Sequence, residues 1–112
     1  MQLIDHTISL SEIVEIAKAR SVDFVKAVVD IERKIMVIDG QMHVDEETEL
    51  LEHGSAQENL WGINIYPSLS IENRIEFDSM INIRPFTGNR SRGVENRETQ
   101  KKIIDIVNGL IV

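Results

Sequence analysis

The central part of the chain, FVKAVVDIERKIMVI at residues 24–38, is the strongest guide to the fold. It is crowded with valine and isoleucine, which favour β-strands because their branched side chains pack well on a pleated surface. We predict two antiparallel strands here, at about 24–31 and 34–39, with the turn at Glu32-Arg33. Neither turn residue favours the positive φ of a tight hairpin. A helix over the first half of the stretch therefore stays open as an alternative.

Two further strands are predicted in the second half of the chain. Leu60 to Tyr66 and Ile75 to Arg84 both alternate apolar and polar residues with the period of two that places successive side chains on opposite faces of a sheet. The residues expected to share the buried face are Trp61, Ile63 and Ile65 on the first strand and Ile75, Phe77, Ser79, Ile81 and Ile83 on the second.

Three helices are predicted around these strands. Ser9 followed by Glu12 forms the pattern of a capping box at the start of the first helix. The second is expected at 45–52, capped by Asp45 and ended by Gly54, and the third near Asn96. The order is α-β-β-α-β-β-α. This predicts a single α+β domain over residues 1–112, with a mainly antiparallel sheet of about four strands and helices packed on one face.

Composition narrows the classes of function. The 112 residues contain no cysteine, which excludes a disulfide framework and thiolate chemistry. The formal net charge of −7 disfavours non-specific binding to nucleic acid or anionic lipid. No apolar run is long enough for a membrane span, and no basic-then-apolar signal opens the chain. We therefore expect a cytoplasmic protein that binds neither membrane nor nucleic acid.

The segment RPFTGNRSRGVENR, residues 84–97, has four arginines and one acid in this otherwise acidic chain. It leads into the predicted third helix, whose N-terminus has free N–H groups and a positive dipole end. We therefore expect a small binding module for a phosphate, nucleotide or carboxylate. The alternative is that the arginines form internal salt bridges that fix the connection. The candidate anion-binding residues are Arg84, Asn89, Arg90, Ser91, Arg92 and Gly93.

The polar side of the predicted sheet is a second candidate site. If Trp61 and Phe77 point into the core, carboxylates on the opposite side could bind a divalent cation through oxygen ligands. The candidate ligands are Asp30, Glu76 and Asp78. The competing hypothesis is thus a metal-assisted hydrolase or transferase, in which Arg84 stabilises developing negative charge. The alternative is a face that is polar because water covers it. No motif names a cofactor, and binding is favoured over catalysis.

The segment 39–58 has seven acids and no lysine or arginine. His43-x-Asp45 and Glu49-x-x-x-His53 within it are conceivable metal ligands, but a solvated helix face is the simpler interpretation. A third hypothesis is a homo-oligomer, most simply a homodimer, in which this segment of one copy docks onto the basic loop of another. Met80, which interrupts the polar row of the predicted sheet, also points to a partner.

Four segments carry a resemblance to a known family: FVKAVVDIE, LWGINIYP, IEFDSMINIRP and GNRSRGVE. They resemble a small prokaryotic family catalogued only as a domain of unknown function. The resemblance extends roughly from residue 8 to the end, and the run IEFDSMINIRP–GNRSRGVE is its most specific part. It implies a compact single-domain prokaryotic protein. It implies no activity, cofactor or catalytic residue.

Overall fold

The computed structural model describes all 112 residues and contains three helices and one five-stranded sheet. The sheet order is β1-β3-β2-β4-β5, and every neighbouring pair is antiparallel. The predicted α+β class is confirmed, with five strands where about four were expected. The elements in chain order are β1 (Gln2–Ile4), α1 (Leu10–Ala19), β2 (Val25–Asp30), β3 (Ile35–Ile38), α2 (His43–Glu52), β4 (Leu60–Ile65), β5 (Ile75–Glu76) and α3 (Arg97–Leu110).

The predicted hairpin forms from β2 and β3, which pair through Val28 and Val37 at their centres. Its turn is built by Asp30 rather than by glycine. Asp30 Oδ1 accepts the backbone N–H groups of Glu32 at 2.9 Å and Arg33 at 3.0 Å. Lys34 then takes a positive φ of 59°. The aspartate side chain thus supplies the turn hydrogen bonds, which is why a dipeptide poor in turn residues can still reverse the chain here.

Helices cover both faces of the sheet. α1 and α3 pack on one, which we call the α1/α3 face, where Ala27, Val29 and their neighbours belong to a cluster of 17 buried apolar residues. α2 packs on the other, the α2 face, where Leu50 meets Val28 in a cluster of five. The expectation that all helices share one face is therefore wrong for α2. β2 is apolar on both sides at its centre, as in strands covered on both faces.

The helix boundaries follow local capping. Ser9 Oγ accepts the N–H of Glu12 at 3.2 Å at the start of α1, as predicted. Asn96 caps α3 by accepting two N–H groups with its side-chain oxygen. α2 begins two residues earlier than expected, at His43, and the residue in its cap position, Met42, offers no side-chain hydrogen bond. Asp45 therefore does not cap α2.

The strand predicted at Ile75–Arg84 ends at Glu76, which corrects that prediction. The chain then forms two short 3₁₀ turns, Met80–Asn82 and Pro85–Thr87. The reason is Asn82, whose amide binds both backbone groups of Gly62. Its Oδ1 accepts the Gly62 N–H at 2.8 Å, and its Nδ2 donates to the Gly62 carbonyl at 2.9 Å. One side chain thus satisfies both backbone groups of Gly62 at the outer edge of β4, which a neighbouring strand would otherwise cover.

Gly62 also permits the close approach of this segment. A Cβ at position 62 would lie 2.5 Å from the Cβ of Ser79, closer than two carbon atoms can pack. The segment therefore lies against the edge of β4 and contacts both cores. Phe77 packs on the α1/α3 cluster and Ile81 on the α2 cluster, so the two do not share a face as predicted. None of the three helices is long and apolar enough to cross a bilayer.

Candidate functional site

Arg84, the first residue of the predicted anion-binding loop, is bonded within the protein. Its guanidinium carbon lies 4.6 Å from the centre of the Trp61 ring. It donates hydrogen bonds to the backbone carbonyls of Glu58, Leu60 and Ile81. Burial lowers the pKa of Arg84, and the nearby carboxylate of Glu47 opposes that shift. Arg84 thus connects the loop to β4 and has little capacity left for a ligand.

Asn89 gives the loop its shape from a buried position. The two hydrogens of its Nδ2 are shared among three carbonyls, at 2.7 Å to Asn82, 3.2 Å to Ser91 and 2.8 Å to Gly93. Its Oδ1 accepts the N–H of Glu95 at 2.9 Å. Both ends of the amide are therefore used inside the loop.

The backbone cradle expected for an anion already holds one from the same chain. The N–H groups of Arg90 and Ser91 converge on Glu95 Oε2 at 2.7 and 2.9 Å. These hydrogen bonds lower the pKa of Glu95 because they stabilise its ionised form. The Gly93 N–H donates to Ser91 Oγ at 3.2 Å. The loop therefore has anion-binding geometry, but the anion in it is Glu95.

Three arginines of the segment 84–97 keep free donors. Arg97, the first residue of α3, is exposed, and its side chain makes no hydrogen bond or salt bridge. Arg92 Nε donates to Asp78 at 2.6 Å, and the two terminal nitrogens of its guanidinium have no protein partner. The Arg90 side chain is exposed and makes no hydrogen bond or salt bridge. Any ligand of this region would have to be held by these three side chains.

The three carboxylates proposed as metal ligands do not meet. Asp30 is buried and accepts a 2.6 Å hydrogen bond from Ser55 Oγ in addition to its turn bonds. Glu76 accepts from the Asn64 amide at 2.9 Å, and Asp78 pairs with Arg92. Asn64 is aligned with Lys26 on β2, so Glu76 lies about four residues along the sheet from Asp30, roughly 13 Å.

The histidines of the acidic segment do not build a metal site either. His53 Nδ1 lies 3.7 Å from a carboxylate oxygen of Glu49, one helical turn away, but no third ligand joins them. His43, paired with Asp45 in the sequence, faces β4 instead. No group of three or more histidine, aspartate or glutamate side chains is arranged to hold a metal ion.

A small cavity on the α2 face brings basic groups together. It has a volume of about 200 Å³ and lies between β2, the start of α2 and the segment after β5. Lys26, His43 and Arg92 line it, and we call it the cationic cavity. Its remaining walls are Ser79 and four apolar side chains, Met42, Val44, Met80 and Ile81.

The protonation of His43 follows from its contacts. Its Nε2 lies 2.7 Å from the carbonyl oxygen of Ile63, and because a carbonyl can only accept, Nε2 carries the hydrogen. Burial lowers the pKa of His43, and Lys26 and Arg92 lower it further, against the effects of the Ile63 hydrogen bond and of Asp78. The imidazole is therefore neutral at pH 7. Its Nδ1 has a free lone pair and no protein partner.

The charge of the cationic cavity is only partly neutralised, since Asp78 pairs with Arg92 at 2.6 Å. Lys26 has no carboxylate partner, and its Nζ lies 5.3 Å from the centre of the Phe24 ring. No side chain caps α2, so the positive end of the helix dipole adds to the field of Lys26 and Arg92, against the acidic Asp45 in the first turn. Arg92 was predicted as part of the basic loop at 84–97. The sequence did not bring it together with Lys26 at the start of α2, because no local pattern encodes that contact.

Comparison with known proteins gives a family and no activity. A family model described as a protein of unknown function, DUF5674, matches residues 2–110. No curated protein and no solved structure shows significant similarity to the chain. The match confirms the resemblance to an uncharacterised family and extends it towards the N-terminus. This chain is therefore a member of the DUF5674 family of proteins of unknown function.

Proposed function

We propose that this protein is a small binding module that holds an anionic group, phosphate or carboxylate, in the cationic cavity. The observation that carries the proposal is the meeting of Lys26 and Arg92 at the uncapped start of α2. Because the chain as a whole has a net charge of −7, most of its surface repels an anion. The cavity is the place where basic groups from three separate segments converge.

Each basic residue has a separate role in this proposal. Arg92 is held in place through its Nε by Asp78 and presents its terminal nitrogens for paired hydrogen bonds to two oxygens of one anion. Lys26 supplies a second positive charge. The neutral His43 accepts a hydrogen bond at Nδ1, which suits a hydroxyl group or a protonated phosphate oxygen.

The size and walls of the cavity limit the ligand. A volume of about 200 Å³ is below the roughly 300–1,000 Å³ typical of sites for drug-sized molecules. The ligand is therefore a small phosphate or carboxylate, or the terminal phosphate of a larger molecule. We place this function in the prokaryotic cytoplasm, where such metabolites are abundant, and it includes no catalytic step.

The proposed binding site is the cationic cavity and not the loop at 84–97. Arg92 is kept from the predicted set. Arg84 and Asn89 act through the fold, and Ser91 and Gly93 shape the turn that positions Arg92. Arg90 lies outside the cationic cavity.

The test is a titration of the ¹⁵N-labelled protein with inorganic phosphate and with acetate, at low ionic strength. We expect saturable shifts of the amides of His43 and Val44. Arg92→Ala and Lys26→Ala should each weaken binding by about tenfold or more, since a hydrogen bond to a charged group is worth about 1.5–3 kcal/mol. Lys102→Ala is the matched control, because it removes the same charge from an exposed site on α3.

Two results would contradict the proposal. The first is that neither anion produces saturable shifts of the amides at the start of α2. The second is that Lys102→Ala weakens binding as much as Lys26→Ala. The second result would mean that the affinity for the anion depends on the net charge of the protein and not on the cationic cavity.

A further inference from the structure

Phe86 is presented to solvent by a well-defined turn. Its side chain is fully exposed, at 104% of the reference area. The turn Pro85–Thr87 is closed by two hydrogen bonds, from the N–H groups of Thr87 and Asn89 to the Arg84 carbonyl. Gly88 follows with a positive φ of 89°. A phenyl ring on a turn of fixed shape loses little conformational freedom when a partner covers it.

The surface beside Phe86 has both apolar side chains and a cavity. Met80 is 64% exposed and Ile83 is 38% exposed. With Pro85 and Phe86 they border a cavity of about 480 Å³, which is large enough for a phenyl ring. We call these four residues the apolar cluster. An exposed apolar cluster next to a cavity marks an interaction surface.

Charged groups of both signs flank the apolar cluster. Glu58 is exposed and lines the cavity, and Glu47 lines it from a more buried position. Arg90 lies just after the turn, and its side chain has no partner in the chain. One surface therefore carries a projecting ring, a cavity and an acid, and a free arginine follows the ring by four residues in the chain.

We infer that the apolar cluster is the interface of a homodimer with two-fold symmetry. In this arrangement Phe86 of each subunit enters the cavity of the other, and Arg90 of each faces Glu58 of the other. Two-fold interfaces use the same patch twice, so the patch must be complementary to itself. The Phe86 ring matches the cavity in size, and Glu58 and Arg90 are opposite in charge, which is why a second copy is the occupant.

This inference is independent of the proposed function. Phe86, Arg90 and Glu58 do not line the cationic cavity, whereas Met80 borders both cavities. Stable interfaces bury about 800 Å² on each partner. The apolar cluster is only a few residues wide, and we therefore expect an association that depends on protein concentration.

Sedimentation velocity between about 1 μM and 1 mM, the range in which weak interfaces form, tests the dimer. At the upper end the wild type should reach twice its chain mass of 12.8 kDa. Phe86→Asp should weaken dimerisation about tenfold or more, as expected for a central aromatic anchor. Ile71→Asp is the matched control, because Ile71 is 53% exposed outside the apolar cluster.

A charge exchange tests the two-fold arrangement itself. Arg90→Glu and Glu58→Arg should each weaken the dimer, and the double variant should recover it, since the opposite charges then face each other again. The inference is overturned if the wild type stays at 12.8 kDa throughout, if Phe86→Asp dimerises like the wild type, if Ile71→Asp weakens the dimer equally, or if the double variant does not recover. All variants should unfold at the wild-type temperature, because the substituted side chains are exposed.

Discussion

The two faces of the sheet are built differently. The α1/α3 face buries 17 apolar residues in one cluster, whereas the α2 face buries only five. Where the α2 face lacks apolar contacts, it has buried polar side chains with defined partners, such as Asp30 at the hairpin turn and Asn82 at the edge of β4. The first face supplies most of the hydrophobic stabilisation. The second holds irregular segments in place, including those around the cationic cavity.

Polar groups on the α2 face are not all equally well satisfied. Glu46 is completely buried, and one of its oxygens accepts the Gly40 N–H at 2.9 Å. The other oxygen, Oε1, has no partner. A buried carboxyl that is half satisfied favours its neutral form. The two faces therefore also differ in pH dependence, because the ionisation of Glu46 on the α2 face affects stability.

The largest expected effect is on the α1/α3 face. Ile103 is completely buried in the large cluster, and Ile103→Ala should lower the free energy of unfolding by about 3–5 kcal/mol because it leaves a cavity in a close-packed core. Leu50→Ala on the α2 face should cost less, about 2–3 kcal/mol, because few apolar neighbours are lost there. Urea denaturation measures both. If both variants lost the same free energy of unfolding, the two faces would not differ in their contribution to stability.

A smaller effect is expected from Asn82→Ala. This change leaves the Gly62 N–H and carbonyl without partners at a buried edge, which should cost roughly 2–3 kcal/mol. Hydrogen exchange of the Gly62 amide should become faster. Asn73→Ala is the control: its exposed side chain bonds only Ser70 Oγ, and its effect should stay within about 0.5 kcal/mol. Unchanged protection of Gly62 in Asn82→Ala would mean that something other than this amide covers the edge.

The smallest effect is the pH dependence from Glu46. Burial raises the pKa of Glu46 to about 8, against the Gly40 hydrogen bond and Lys26. Between its unfolded and folded pKa values the native state binds more protons than the unfolded state, so stability falls as pH rises. The largest change for one proton is about 1.4 kcal/mol per pH unit, and we expect a loss of up to about 2 kcal/mol between pH 6.5 and pH 8.

His43 has the opposite sign and a different range. Its pKa is lowered by burial, so its contribution to stability is lost as the pH falls below 6.5. The contribution of His43 fades as the pH rises above 6.5, so the upper part of the range reports mainly on Glu46. Thermal or urea unfolding at several pH values should show that Glu46→Gln flattens this dependence. A variant with the same slope as the wild type would assign the effect to another group.

The sequence predicts secondary structure correctly where the pattern involves residues close together in the chain. Neighbouring residues predict the cap at Ser9, the start of α3 near Asn96, the hairpin at 24–38 and β4. The strand predicted to Arg84 was wrong because alternation alone cannot show that Asn82 would bind Gly62, twenty positions away. β1 was missed because three residues, Gln2–Ile4, carry too little pattern.

The candidate site could be predicted only in part from the sequence, for the same reason. The charge inversion at 84–97 predicts anion binding, but it could not show that Glu95 would accept the loop's N–H groups. His43 was considered as a metal ligand beside Asp45, whereas in the fold it contacts Ile63. Such contacts depend on how distant segments pack, and spacing along the chain does not report them.

The amino-acid sequence alone determined the α+β class, the family and the positions of most helices and strands, because propensity, capping and periodicity act over a few residues. The tertiary structure decided which face α2 covers, which arginines keep free donors and where Lys26, His43 and Arg92 meet. The physical reason is that a side chain's partner is set by packing and burial across the whole sheet, and a guanidinium or carboxylate binds whichever group the fold brings within hydrogen-bond distance.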